Sequence, residues 1–155
     1  MAFLISNQLK KFIDEPHGMA IGTRDADFTP TYARVLGAKL LDDSIIKVMI
    51  AKQTSELTLK NLENNKMIAF VQANPIGFEC YQFKGTYLRS YEASDEDRTL
   101  VENWLKDFDD IMAKYELEVP ITYNWLHDPI VVIEFEIDQI FEQTPKIGTG
   151  NPITT

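Results

Sequence analysis

His17 and His127 are the only imidazoles in the chain, and Cys80 is its only thiol. Zinc sites draw on Cys and His at short, fixed spacings, so two distant histidines and one cysteine predict no metal site and no intrachain disulfide. Cys80 has no basic neighbour in sequence to lower its pKa and reads as a packed strand residue. No Ser, His and Asp are arranged for hydrolysis, and no acid–base pair stands out, so the catalytic residues stay unassigned. What remains is a scatter of cations and hydroxyls, of which Arg34, Lys52, Thr54, Ser55 and Lys60 matter below. Each has a plain structural role. Thr54 and Ser55 can cap a helix, Arg34 can be a solvated strand cation paired with a carboxylate, and Lys52 and Lys60 can be surface residues.

The formal charge of −9 over 155 residues argues against DNA or RNA as a partner, because nucleic-acid binders concentrate basic charge. An anionic cofactor is still compatible, since a few cations and backbone N–H groups at one place can hold a phosphate. With 45% hydrophobic and 25% charged residues the chain has the balance of one globular domain. Apolar runs such as Ile130 to Ile133 fall far short of the roughly 20 residues of a membrane span. Met1 to Ile5 lacks a basic flank and meets polar Ser6 too soon for a signal-peptide core, so no export is expected. A reducing cytoplasm suits the single cysteine.

Ser6 caps a predicted helix with Leu9, Phe12 and Ile13 on one face, and Pro16 ends it. Strands are expected over His17 to Thr23, Thr31 to Leu41 and Ile45 to Lys52, joined by turns at Asp25-Ala26-Asp27 and Leu41 to Ser44. Thr54 or Ser55 opens a helix carrying Leu57 and Leu62, closed by Asn64-Asn65 before a strand from Met67 to Gln72. A long strand follows over Phe78 to Tyr91, with Gly85 marking a bulge or bend that would let the sheet curl. Ser94 caps a helix whose apolar stripe is Leu100, Trp104, Leu105, Phe108, Ile111, Met112 and Tyr115, opposite a solvated face of Glu102, Lys106, Asp109 and Asp110. Ile133, Phe135 and Ile137 alternate with acids in a last strand. Short links make the sheet mostly antiparallel, giving an α+β fold built on a barrel with flanking helices.

This order of elements, with particular residues, resembles the pyridoxamine 5'-phosphate oxidase-related family of FMN-binding split β-barrels. The residues are His17 to Thr23, Thr29-Pro30, Tyr32-Ala33-Arg34-Val35, Lys52-Gln53-Thr54-Ser55, Lys60 to Lys66, Lys84-Gly85 and Phe141 to Pro145. The resemblance spans nearly the whole chain and implies one FMN-binding domain over residues 1–155. It implies an FMN cofactor at the interface of a homodimer, with its phosphate held by Arg34 and by Lys52, Gln53, Thr54 and Ser55. Backbone groups of Val35, Leu36 and Gly37 would run beside the flavin, Gly37 allowing close approach. These roles suit the groups, because a helix N-terminus, hydroxyls and a bidentate guanidinium all bind phosphate.

The chain departs from the family pattern where many members place Lys or Arg inside the helix after the third strand. Here stand Leu57-Thr58, and Glu56 adds a negative charge in the first turn; Lys60 compensates only if it reaches back. Two functions therefore stand open: an FMN-dependent oxidoreductase of unknown substrate, or a non-catalytic dimeric protein holding haem, another flavin or no cofactor. The family's shared apolar face and the many aromatics here, Phe78, Tyr81, Phe83, Tyr87, Tyr91 and Trp125, lead us to expect a two-fold dimer. Trp125, with Tyr123 and His127, is expected near the ligand cleft or the subunit boundary.

Overall fold

In a computed structural model, which describes residues 5–116, 120–125 and 127–153, the Ser6 hydroxyl accepts the Leu9 N–H and opens helix α1, Asn7–Ile13. Leu9, Phe12 and Ile13 form its buried face, as the spacing predicts. The Gln72 amide nitrogen fastens the other end by donating to the Phe12, Ile13 and Glu15 carbonyls. The chain then runs through strands β1, Gly18–Arg24, β2, Pro30–Leu40, and β3, Ile45–Ala51, and a short 3₁₀ turn over Lys52–Thr54. Helix α2, Glu56–Asn65, leads into β4, Met67–Ala73, and β5, Cys80–Glu92. Helix α3, Asp95–Met112, and strand β6, Ile130–Glu142, complete the order expected from sequence.

The six strands close an antiparallel barrel in the order β1-β2-β3-β6-β5-β4. Inside it Phe70, Phe83 and Phe135 are fully buried, with Phe70 stacked on Phe83 at 5.6 Å and edge-on to Phe135 at 6.2 Å. Strand β1 points Met19, Ile21 and Thr23 inward and leaves Gly18, Ala20 and Gly22 on the outer face. These pair across to Ala73, Val71 and Ala69 of β4, so that outer face is smooth and lined by small residues. Strand β3 is instead buried on both faces. Gly85 sits at a register shift between β5 and β6, the bulge its position predicts.

Helix α3 starts with a capping box between Ser94 and Asp97 and buries Val101, Trp104, Leu105 and Phe108. Three local expectations need correction. Strand β5 begins at Cys80 because Phe78 adopts a left-handed backbone in the preceding turn and is exposed. Tyr115 lies beyond α3 in a 3₁₀ turn, exposed, with its hydroxyl donating to the Pro75 carbonyl. Leu57 is 59% exposed, and α2 faces the barrel with Thr58, Asn61 and Leu62 instead. Asn61 is accommodated there because its amide donates to the hydroxyls of Thr23 and Thr31. Among the described residues no helix is long and apolar enough to cross a membrane, and no cluster of His, Cys, Asp or Glu is placed to hold a metal ion.

Candidate functional site

Strands β2 and β3 pair Val35 with Ile50, and continuing that antiparallel register by one residue sets Arg34 across from Ala51, where β3 ends. Arg34 thus lies beside the end of β3, from which the chain passes into the Lys52–Thr54 turn. The Arg34 guanidinium lies over the Trp125 ring, 3.9 Å from the centroid. It lines a cleft of about 320 Å³ with Gly18, Tyr32, Val71, Trp104 and Trp125. Arg24, Arg89 and Arg98 each donate to a protein oxygen. Among the described residues Arg34 makes no such hydrogen bond and no ion pair, so its carboxylate-paired reading is not what the side chain shows. A guanidinium held flat with in-plane donors that meet no acceptor among the described residues has the chemistry to take an anion.

The other site residues divide. Ser55 is buried and its hydroxyl donates to the Lys52 carbonyl at 2.8 Å; the Thr54 hydroxyl donates to the Ala51 carbonyl at 3.3 Å. Neither caps α2, which therefore presents the first-turn N–H groups of Glu56, Leu57 and Thr58 without a side-chain acceptor. The Thr58 hydroxyl is buried with no partner among the described residues. Lys52 and Gln53 are exposed, and the Lys52 ammonium is 2.6 Å from Glu92, whose carboxyl that contact holds below the usual range. Lys60 lines a separate cleft with Asp25, Asp27 and Glu63, so it does not reach back to the start of α2. The exposed residue of the pair Leu57-Thr58 is Leu57.

Val35 and Leu36 are core residues, and a register shift between Val35 and Gly37 takes Leu36 out of the ladder to β3. The close approach at Gly37 is made by α3: a Cβ there would lie 2.9 Å from Leu100 Cδ2 and 2.9 Å from Met49 Cε. His17 is buried against the Phe12 ring; burial pushes its pKa down, while Glu15, 3.2 Å from Nε2, works in the opposite direction. Burial pushes the Cys80 thiol up, and its sulfur is ordinary packing.

Sequence reasoning missed how Trp125 is held. Thr122 donates its N–H to Asp109 Oδ1 at 3.0 Å and its hydroxyl to Oδ2, which ties residues 120–125 to α3. Trp125 then packs near Trp104 and Phe108, at centroid distances of 6.4 and 5.9 Å, and lines the same cleft as Arg34, while Tyr123 is exposed. A buried threonine following Val-Pro-Ile gives no signal of that tie in sequence.

No family model matches the chain, and no curated protein matches it. Solved structures do. HupZ of Group A Streptococcus superposes with a TM-score of 0.58 over 97% of this chain and 99% of its own, at 18% identity. A candidate pyridoxamine 5'-phosphate oxidase from Lactobacillus delbrueckii gives 0.56 over 88% and 93%, at 18% identity. An FMN-binding protein from Syntrophomonas wolfei gives 0.51 over 86% and 82%, at 13% identity. Likeness at these identities is likeness of fold. The chain has the antiparallel split β-barrel fold of the pyridoxamine 5'-phosphate oxidase-like proteins.

Proposed function

We propose that this protein is a cytoplasmic homodimer that binds FMN and acts as a flavin-dependent oxidoreductase on a small molecule. The observation that carries the proposal is the Arg34 guanidinium, stacked on Trp125 in a cleft and without a protein acceptor among the described residues. The residues present fit a phosphate-bearing cofactor. Arg34 offers a bidentate charge-assisted contact, and the first-turn N–H groups of α2 offer donors backed by the helix dipole. Glu56 opposes this, and Lys52 contributes only if it leaves Glu92. Val35, Leu36 and Gly37 can offer a flavin backbone groups alone, since the two side chains are buried. A bound flavin would supply electron or hydride transfer, and the protein would supply binding, orientation and exclusion of water.

Replacing Arg34 with Ala should weaken FMN binding about ten- to a hundredfold, the loss of one charge-assisted contact, while leaving riboflavin affinity unchanged. Titration of both ligands decides it, because only FMN carries the phosphate. Equal loss for both ligands, or none for either, would move the phosphate away from Arg34.

The smooth outer face of β1 and β4, bordered by exposed Tyr32 and Met67, supports two-fold self-association. Light scattering at micromolar concentration should return twice the chain mass of 17.8 kDa. A mass of one chain would remove the dimer. The engagement of Lys52 by Glu92 and the absence of a cation at Leu57 favour a second reading, a binding protein on the same barrel that holds haem, another flavin or nothing. An absorption spectrum separates the two. Flavin bands that arise with bound FMN support the oxidoreductase; a haem band, another bound flavin, or a colourless protein that ignores added FMN supports the alternative.

A further inference from the structure

Arg34 has every reason to be elsewhere. In a chain of net charge −9, a long exposed arginine ordinarily finds a carboxylate, as Arg89 and Arg98 do. Arg34 instead lies on the Trp125 ring, with no carboxylate in ion-pair reach among the described residues. The ring is in turn placed from α3: Asp109 accepts both donors of Thr122, and the Trp125 N–H donates to the Thr122 carbonyl at 2.9 Å. The Trp125 ring also packs near Trp104 and Phe108. One carboxylate on a helix surface thereby reaches a cation on β2 through the chain of contacts Asp109, Thr122, Trp125 and Arg34, which includes neither charge pairing nor ligand.

We infer that Asp109 and Trp125 are positioning residues for the anion site: Asp109 latches the 120–125 strap, and Trp125 holds the Arg34 guanidinium flat with its N–H edge free. A guanidinium already ordered loses less rotamer freedom when it binds, so the anion gains affinity from a ring it does not touch. The inference rests on the reading of Arg34 as an anion receptor, and it deepens that reading by naming what holds the receptor in place.

The test compares Asp109→Ala, Trp125→Leu and Trp125→Phe, each alone and combined with Arg34→Ala, by calorimetric titration with FMN, riboflavin and inorganic pyrophosphate. Asp109→Ala and Trp125→Leu should weaken FMN and pyrophosphate binding about three- to tenfold and leave riboflavin unchanged. Trp125→Phe should restore most of the affinity, and neither loss should appear on top of Arg34→Ala. A purely structural role would lower affinity for riboflavin as much as for FMN, or persist without Arg34, and either result overturns the inference. Should the native protein bind pyrophosphate but neither flavin, the FMN reading fails and the positioning role is judged on pyrophosphate alone. Should it bind none of the three, both fail.

Discussion

Gly85→Ala should destabilise the barrel by about 3 kcal/mol or more, an overpacking cost at the upper end of its range. A Cβ at this position would lie 2.2 Å from the Glu136 carbonyl oxygen and 2.6 Å from Phe135 Cδ2. Neither neighbour can yield cheaply. The carbonyl belongs to β6, which pairs with β5 on both sides of the bulge, and the ring is fully buried against Phe70. Gly22→Ala is the control for packing within one chain, because a Cβ there meets no atom of the same chain within 4 Å. Its effect should stay within about 1 kcal/mol. Urea unfolding with unchanged slope should show the two variants well apart. Coincident midpoints would mean that β5 and β6 do not cross at Gly85.

That bulge was readable in sequence for a physical reason: a glycine inside a long strand pattern stands where a side chain will not fit. Helix starts were readable on similar grounds, since Ser6 and Ser94 each precede an apolar stripe and each caps its helix. The start of α2 was harder. Ser55 looks like a cap in sequence, yet its hydroxyl turns back to Lys52, and periodicity alone could not show that Thr58 and Asn61 face the barrel while Leu57 faces water. Amphipathic spacing identifies an apolar face only when the buried positions are apolar, and here two of them are polar.

The candidate site was legible as a set of residue types and illegible as an arrangement. Arg34 and the Lys52 to Ser55 segment follow from the order of strands, which makes β2 and β3 neighbours. What separates Arg34 from an ordinary surface cation is Trp125, brought from the far end of the chain by Asp109, an acid that the helical pattern assigns to the solvated face. The same blindness affected Asp97 and Lys47. A lysine inside Ile45-Ile46-Lys47-Val48 could have prompted a search for a buried acid, but the partner lies on α3, fifty positions onward.

Asp97→Ala should be the most damaging single change on the outer surface of the barrel. Asp97 is buried, and it accepts from the Lys47 ammonium, 2.5 Å away, and from both the N–H and the hydroxyl of Ser94. Removing it takes away the reciprocal, carboxylate half of the α3 capping box and leaves Lys47 buried on β3, with Glu134 as the opposite charge remaining in register beside it. Breaking a buried pair from one side costs about 3–5 kcal/mol, and the neighbouring Glu134 places the expected loss near the lower figure. Ser94→Ala isolates the cap and should cost about 1 kcal/mol. Lys47→Met added to Asp97→Ala should recover much of the loss, because the uncompensated ammonium is gone. The pH dependence has a definite sign. Burial pushes the Asp97 carboxyl up, but the contacts from Lys47 and Ser94 outweigh it, so the folded pKa lies below the unfolded one. The stability it contributes is therefore complete above the unfolded carboxyl value of about 4 and is lost as pH falls through the folded value. Denaturant melts of the native protein and of Asp97→Ala should stay a constant distance apart from about pH 7 to pH 5 and converge below about pH 4. A gap that stays constant into acid, or a double variant no more stable than Asp97→Ala, would show that the Lys47 pair is not what holds α3 to β3.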